Sequence, residues 1–568
     1  MPTPSIISSL TRLRTSFGRT QRSAKRRWLA QASRMPIDDP RAIRNYHDAL
    51  LFVIAHPDDR SVLRQVDREL LRIRRVVQSR TSGQVRRLEN SGIAGSHVVC
   101  PFSLDICRWL TNQFGREVRL EWENDDGSES FGEFLNHLAA PVERDGLLCE
   151  RLSTREWIRV AAGRGRADLS WLIQQVDAMP ASEVVREQAF DTLDLAVRWS
   201  LRGRRSSRTL VRFPPRPLHW QTGDFLRSPN AETILEQSVP AARPLPATNA
   251  RAVLDACRAT LCVRRREIDT LTYANDREVY LFRQEHGIDI AVFGMSPDRR
   301  LPIESYFGFV VARNRVPIGY GGGWVFMERC EIGVNIFDEF RGGESALAFA
   351  CVLRVFRHHF RAGYFTVDPF QFGAGNTEAI RSGAFWFYYR LGFRPIDPRT
   401  AKLAENEHCQ LSSDRKYRCP PSALRRLAGA RLRLDLRSAA NAAAHAPEII
   451  DIGLAVTRWI GKRFAGNRKT AEAWAVRRAS KVLGATGLSR WPVEERSAFE
   501  RLSPLVAMTT WSNRCPSADR KSLVRLMRAK GGKTERSYVM RLQAHEAFKG
   551  LLGEVAKAGG RIAKGARP

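Results

Sequence analysis

The stretch EIGVNIFDEFRGGESA, residues 331–346, carries the clearest information about the fold. Its first half alternates in character, which is typical of a β-strand that ends near Phe337. Alternation puts one set of side chains on one face, namely Glu331, Gly333, Asn335 and Phe337. The other face then carries Ile332, Val334 and Ile336. The sequence therefore predicts a strand with a polar face and an aliphatic face.

A glycine turn and a helix start follow this strand. The turn contains Arg341, Gly342 and Gly343, and the helix opens at Glu344-Ser345. A helix that begins directly after such a turn exposes unpaired N–H groups at the positive end of its dipole. This arrangement binds anions and suits a pyrophosphate.

The flanking sequence predicts an α/β layer. Residues 279–295 and 305–337 are rich in β-branched and aromatic residues, which indicates strands, with turns at Asn314-Arg315 and at Gly321–Gly323. Helical periodicity returns at 346–360, and a strand is expected at 364–367. Alternating strands and helices are the pattern of α/β folds.

The segment NTEAIRSGAFWFYYRLGF, residues 376–393, completes an order of strand, glycine turn, helix, strand and helix. Over about residues 250–400 this order resembles the GNAT N-acetyltransferase superfamily. In that family the first strand and turn bind the pyrophosphate of acyl-CoA, and two central strands splay apart to admit the pantetheine. Arg341 and Ala346 match the ends of the family's turn pattern, whereas Glu344 replaces its central glycine. Asn376 and Tyr388 match the later motif, with a longer interval between them.

The resemblance implies a GNAT-like mixed sheet with helices on both faces, flanked by mainly α-helical regions. It implies an acyl-CoA-dependent N-acyltransferase that uses acetyl-CoA and an amine acceptor of unknown identity. Glu331 takes the place of the base that accepts the amine's proton, and Tyr388 that of the acid that protonates the thiolate. The expected cofactor contacts are Asn335, Ile336, Phe337, Arg341, Gly342, Gly343, Glu344, Ser345, Ala346 and Asn376.

Each of these assignments has a structural alternative. Glu331 could form an ion pair with Arg329, and Tyr388 could be a core aromatic residue. Asn376 is also a favoured residue for capping a helix. Glu344 would repel phosphates unless its carboxylate points away, so a non-catalytic GNAT fold stays open as a second interpretation.

The rest of the chain predicts further regions. Residues 1–37 contain eight Lys or Arg and no acid, which predicts a basic arm or a targeting peptide. Residues 38–237 are predicted to be mainly helical, with helical spacing at 61–77 and 182–201 and an alternating segment at 116–123 that predicts a short strand. Proline-rich sequence at 238–250 predicts a linker. An alanine-rich linker at 438–447 precedes a basic helical region, residues 448–568.

The net charge of +32 allows two interpretations. The basic residues are mostly arginine and are spread along the chain, which indicates a solvated basic surface. Alternatively, the basic helical regions bind nucleic acid or another polyanion, with stacking by Trp459, Trp474, Trp491 and Trp511. The second functional hypothesis is therefore a non-catalytic binding protein with a GNAT fold.

Several classes are excluded or disfavoured. No run of about 18 apolar residues occurs, so no membrane-spanning helix is expected. The ten cysteines form no CxxC pair and no zinc spacing, which predicts no metal site and a reducing, cytoplasmic location. AHPDD at 55–59 is similar to a signature of zinc-dependent sugar deacetylases, but Arg60 departs from it, and an N-capped helix start is the favoured interpretation.

Overall fold

The computed structural model describes residues 3–122, 129–149, 151–203, 205–414, 416–438, 445–510 and 516–563. It divides the chain into two compact units. Unit 1 comprises Met1–Asp224, Ala252–Thr272 and Ala312–Pro317. Unit 2 comprises Phe225–Arg251, Tyr273–Val311 and Ile318–Pro568.

The elements up to residue 272 are mostly helices. The helices are α1 (Thr3–Leu13), α2 (Arg19–Ala32), α3 (Pro40–Ala55), α4 (Arg60–Gln78), α5 (Ser82–Arg86), α6 (Leu104–Phe114), α7 (Glu129–Leu138), α8 (Pro141–Leu148), α9 (Thr154–Ala162), α10 (Asp168–Ala178), α11 (Glu183–Thr192), α12 (Ala231–Glu236), α13 (Ala247–Cys262) and α14 (Asp269–Thr272). The strands are β1 (His97–Pro101), β2 (Val118–Leu120) and β3 (Ala196–Ser200).

Strands and helices alternate after residue 272, and helices alone follow residue 448. The strands are β4 (Ala274–Arg283), β5 (Ile288–Met295), β6 (Ser305–Arg313), β7 (Val316–Phe326), β8 (Arg329–Ile336), β9 (Tyr364–Val367), β10 (Arg394–Pro395) and β11 (Leu432–Asp435). The helices are α15 (Ser345–His359), α16 (Thr377–Ser382), α17 (Ala384–Arg390), α18 (Pro398–Ser413), α19 (Pro421–Leu427), α20 (Ile449–Phe464), α21 (Arg468–Leu483), α22 (Val493–Ala507), α23 (Ser517–Ala529), α24 (Glu535–Gln543) and α25 (Glu546–Ala563).

Unit 1 contains an antiparallel sheet in the order β1-β3-β2. One face of the sheet is buried in the core of the unit through Val98, Val118, Val197 and Trp199. The short strand predicted within residues 116–123 is confirmed as β2. The helix expected to run to residue 201 is wrong at its end, because residues 196–200 are the central strand, and its pairing with β1 and β2 outweighs local helical spacing.

The first 37 residues differ from the predicted arm, because α1 and α2 pack against α3 and α4. Lys25 of α2 is fully buried and its ammonium lies 2.8 Å from the Asp58 carboxylate. Asp59 caps α4 by accepting hydrogen bonds from the N–H groups of Ser61 and Val62, so the predicted N-capped helix start is confirmed.

Unit 2 is built on an eight-stranded open sheet in the order β10-β11-β9-β8-β7-β6-β5-β4. β8 pairs antiparallel with β7 and parallel with β9, so the sheet is mixed. The prediction of a mixed α/β class is confirmed, and β9 spans the predicted residues 364–367.

The turn predicted at Gly321–Gly323 is wrong, because these glycines lie inside β7. A Cβ on Gly321 would lie 2.0 Å from the carbonyl oxygen of Gly333 on the neighbouring strand. A Cβ on Gly323 would lie 2.4 Å from the ring of Phe356 on α15. Glycine is required here because the neighbouring strand and helix approach the backbone of β7 closely.

Helices α20–α25 share a core that includes Phe326 of β7. A buried ionic cluster ties them to the sheet of the same unit. Arg300 donates to the carbonyl oxygens of Lys530 and Gly532, and Glu278 of β4 accepts from the N–H of Glu535 at 2.7 Å. Residues 439–444 of the predicted linker and Trp511 lie outside the described residues.

Candidate functional site

The central strands β8 and β9 separate part-way along their length. Their parallel pairing covers only Arg329–Glu331 against Tyr364–Thr366. β8 continues to Ile336 and stays paired with β7 over that distance. The sheet therefore opens on one side of β8 after Glu331.

The backbone of β8 presents polar groups to this opening. Phe337 donates to the carbonyl of Ile318, which fixes the odd-numbered residues of β8 as those bonded to β7. Because hydrogen-bonding directions alternate along a strand, the N–H groups of Ile332, Val334 and Ile336 point away from β7, towards the side of the sheet where β9 lies. The pairing of Glu331 with Thr366 engages the N–H of Ile332 on β9, so the N–H groups of Val334 and Ile336 are the ones that lie beyond the ladder.

Tyr388 of α17 reaches into the opening. The backbone N–H of Val334 interacts with its hydroxyl oxygen and partly offsets the effect of burial on the pKa of Tyr388. Its ring is buried against Phe349, Phe372 and Phe393. Burial raises the pKa of Tyr388 well above its usual range, so the phenol is neutral at pH 7 and keeps its own proton to donate.

Glu331 lies on β8 at the point where the strands separate. Its carboxylate makes no hydrogen bond or ion pair with another described residue, because Arg329 pairs with Glu304 and Glu448 instead. Burial raises the pKa of Glu331, and the charges of Arg431 and Arg329 offset this only partly. A raised carboxylate pKa is a property of general bases that work near neutral pH.

The face of the sheet that carries Glu331 is lined by aromatic and amide groups. Glu331 lies opposite Trp324 of β7, whose ring stacks on Tyr306 with ring centroids 4.1 Å apart. The amide of Gln371 lies over Gly333, 3.1 Å from the position of a Cβ there. The α15 side of the sheet, near Phe356, is the opposite face. Glu331 and Tyr388 therefore reach the strand opening from different directions.

The glycine turn leads into α15 as the sequence predicts. Gly342 has a φ of +85°, which glycine adopts without strain. Ala348 donates to the carbonyl of Glu344, and the preceding N–H groups of Ser345, Ala346 and Leu347 have no acceptor among the described residues. Ser345 and Ala346 are half-exposed, so these donors are accessible to a ligand.

The two charged residues of the turn are engaged within the protein. The carboxylate of Glu344 is turned inward and accepts a hydrogen bond from the N–H of Leu226 at 2.9 Å. Arg341 is half-exposed and pairs with Asp338 and Glu378 at 2.9 and 3.0 Å. Although Glu344 stands where the GNAT turn pattern has a glycine, its carboxylate does not lie on the exposed side of the turn. Arg341 could bind a phosphate only in competition with the carboxylates of Asp338 and Glu378.

Asn376 caps α16 by accepting from the N–H of Ala379 at 3.0 Å, which confirms its predicted cap. Its amide nitrogen donates to the carbonyl of Phe370, so both ends of the amide are used. Asn335 is exposed and lies beside the Tyr320 hydroxyl, on whose ring Phe337 stacks. Cofactor contacts by these residues and by Ile336 stay predictions.

One group of possible metal ligands occurs in the described chain, formed by Asp105, Glu183 and Glu187 of unit 1. The guanidinium of Arg108 already contacts Asp105 and Glu183 at 2.5 Å. An arginine in this position provides the positive charge that a metal would otherwise supply. His56 of the AHPDD stretch is buried and bonded to the carbonyl of Phe52, so it serves the helix end.

No protein-family model, curated protein or solved structure matches this chain. Within the described residues, the helices are too short or too polar to cross a membrane. The candidate site therefore has to be interpreted from its own geometry.

The sequence did not indicate the contributions of Val334, Trp324 and Gln371. Trp324 lies opposite Glu331 because of the register between β7 and β8, and the short loop after β9 places Gln371 over Gly333. The alternation of β8 does give a signal for Val334, because it separates this residue from the face of Glu331.

Proposed function

We propose that unit 2 is an acyl-CoA-dependent N-acyltransferase, with acetyl-CoA as the donor. The observation that carries this proposal is the opening between β8 and β9, with the buried Tyr388 near the backbone of Val334 inside it. The pantetheine arm of CoA is a narrow chain with two amides. The backbone of β8 beyond its ladder with β9 suits such amides, because its N–H and C=O groups can exchange N–H···O=C hydrogen bonds with them.

The proposed reaction is a direct transfer. The acceptor amine attacks the thioester carbonyl, a C–N bond forms, and the C–S bond breaks. Glu331 accepts the proton that the amine loses, and Tyr388 gives its proton to the departing thiolate. The attacking nitrogen and the departing sulfur are bonded to the same carbonyl carbon in the intermediate, whereas Glu331 and Val334 are roughly 10 Å apart along the strand. We therefore assign the proton transfer from the amine to Glu331 to an intervening water, and the proton transfer to sulfur to Tyr388 directly.

The pyrophosphate site is assigned to the start of α15. The N–H groups of Ser345, Ala346 and Leu347 and the helix dipole offer donors to an anion. The inward orientation of Glu344 supports this assignment, since Oε1 of its carboxylate accepts from the N–H of Leu226 on the protein side.

The first prediction concerns CoA binding. Ser345→Asp is expected to weaken CoA binding at least tenfold, because it places a carboxylate beside the phosphates, at roughly 1.4 kcal/mol per tenfold. The same change leaves the helix stable, since an acid in the first turn complements the dipole. Calorimetric titration with CoA, together with the melting temperature of the apo protein, measures both effects.

Ser345→Asn is the matched neutral control and is expected to bind CoA about as well as the natural protein. Gly343→Phe is a steric variant of the same turn, and Gly461→Phe, at an open position on α20, is its control. CoA binding that is undetectable at millimolar concentration in the natural protein would contradict the proposal.

The second prediction concerns pH. Glu331→Gln is expected to slow turnover about tenfold near pH 6.5 and to approach the natural rate near pH 9–10, where the amine acceptor loses its proton without help. Because the pKa of Glu331 is raised, the acid limb of the natural enzyme should lie above the usual range of a glutamate. The rate of CoA release with a pool of amines, measured from pH 5.5 to 10, gives both profiles. If Glu331→Gln had the same rate as the natural protein at every pH, Glu331 would have a structural role and would not be the base.

A further inference from the structure

The outer face of the unit 1 sheet forms the wall of a basic cavity. The cavity has a volume of about 690 Å³ and lies between this face and the segment that joins α4 to α5. Its described lining includes five arginines and one histidine and no acidic residue: Arg80, Arg86, His97, Arg119, Arg198 and Arg202. A volume of this size is typical of ligand sites.

The sheet register concentrates the positive charge. Arg119 of β2 and Arg198 of β3 lie directly opposite each other, a like-charge pair that costs stability. Arg198 is held by ion pairs with Glu89 and Glu121. Arg119, by contrast, is exposed, and its side chain makes no hydrogen bond or ion pair with another described residue. The fold therefore keeps an unfavourable arrangement that an anion would relieve.

The pKa of His97 reflects the positive charge in this cavity. It lies on β1 beside Ser200, and its imidazole contacts the Ser200 hydroxyl at 3.2 Å. Its pKa is lowered by burial and then by the charges of Arg198, Arg202 and Arg119. The one carboxylate that these interactions bring near His97 is Glu121, and its effect is the smallest of the group. The cavity is thus electropositive despite the nearby acids.

A second basic cavity shares one lining residue with the first. It has a volume of about 470 Å³ and shares Arg119 with the first cavity. Its lining adds Arg116, Arg155, Arg159 and Arg166, together with the half-buried indole of Trp122. Its acids are committed elsewhere, because Glu121 pairs with Arg198 and Asp168 accepts from Trp122 and the N–H of Leu120.

We propose that the two cavities form one groove that binds the phosphate backbone of single-stranded nucleic acid. Arginines suit phosphates because their guanidinium groups donate paired hydrogen bonds. Two basic cavities that share Arg119 suit an extended chain better than a compact anion. Trp122 stacks on Phe131 and is half-buried, and the remaining part of its ring that lines the second cavity is where a base can stack, as in other grooves for single strands. This site is separate from the acyltransferase proposal and stands without it.

The test measures binding of a fluorescein-labelled 12-nucleotide oligo(dT) to the full chain by anisotropy, from 50 to 300 mM salt. Arg119→Ala and Arg202→Ala are each expected to weaken binding about tenfold at 0.1 M salt, as for loss of one charged contact. Each change should also lower the slope of log affinity against log salt by about 0.7, the value for one phosphate of a single strand.

Arg68→Ala is the matched control, since Arg68 is exposed on α4 and lines neither cavity. It is expected to bind oligo(dT) within about twofold of the natural protein. Arg119 and Arg202 are exposed, so neither variant should melt below the natural protein. Equal binding by all three variants would overturn the proposal. Tripolyphosphate that binds as tightly as oligo(dT), with the same dependence on Arg119 and Arg202, would overturn the strand assignment in favour of a small phosphorylated ligand.

Discussion

Tyr388→Phe is expected to lower kcat by roughly 10²–10⁴-fold while the dissociation constant of CoA stays nearly unchanged. The physical reason is that the phenol is neutral and buried, and its oxygen interacts with the N–H of Val334. Its own proton is therefore directed to another acceptor, which in the proposed reaction is the departing thiolate. Phenylalanine preserves the ring packing against Phe349 and Phe372 and removes only this proton.

Tyr389→Phe is the matched control. Tyr389 is the next residue, is equally part of the aromatic cluster, and packs against Phe385, Trp386 and Arg394. Its hydroxyl has no hydrogen-bond partner among the described residues, so the rate of CoA release should change little. The comparison requires single-turnover rates and CoA titrations for both variants. Full turnover in Tyr388→Phe would identify Tyr388 as a packing residue and remove the assignment of the acid.

Lys530→Met is expected to lower the free energy of unfolding of unit 2 by about 3–5 kcal/mol, the cost of breaking a buried ion pair by removing one partner. The ammonium of Lys530 is almost completely buried and contacts the Glu535 carboxylate, the carbonyl of Glu304 and the Ser305 hydroxyl. It also lies 4.3 Å from the ring centroid of Tyr538. Methionine fills the volume but leaves Glu535 without this cation.

Hydrogen exchange followed by mass spectrometry measures this effect in each unit separately. Peptides covering β4 and α23–α24 should exchange roughly a hundredfold to several thousandfold faster, whereas peptides of unit 1 should change little. Lys521→Met removes the same charge from an exposed position of α23 and should cost less than about 0.5 kcal/mol. Adding Glu535→Gln to Lys530→Met should recover part of the loss. An equal effect of the two lysine changes would contradict the importance of the buried pair.

The same cluster gives the stability of unit 2 a characteristic pH dependence. Burial lowers the pKa of Lys530 from 10.5 to about 8, so the folded state binds fewer protons than the unfolded state between these values. The unfolding free energy therefore rises with pH in this window. Burial raises the pKa of Glu278 from 4.5 to about 7, so its contribution falls as pH rises over that interval. Lys530→Met should remove the alkaline rise alone.

Local patterns in the sequence determined much of the architecture. Helical spacing predicted α4 and α15, and alternation predicted β8. Asp59 and Asn376 were recognisable as helix caps, because a short polar side chain before a helical segment satisfies nearby N–H groups. The order of these elements also predicted the mixed α/β class. All of these signals depend only on residues that are close together in the chain.

Tertiary structure alone decided the features that depend on distant residues. The local sequence predicts a turn at Gly321–Gly323, but these residues lie within β7. Glycine is needed there because the side chains of Phe309 and Phe356 lie against the backbone of that strand. Local spacing predicts a helix at residues 196–200, but these residues form a strand that is paired with β1 on one side and β2 on the other. The same register places Arg119 opposite Arg198, which no local pattern reveals. The separation of β8 from β9 and the position of Tyr388 in the opening likewise follow from strand pairing, whose partners are set by packing and not by spacing along the chain.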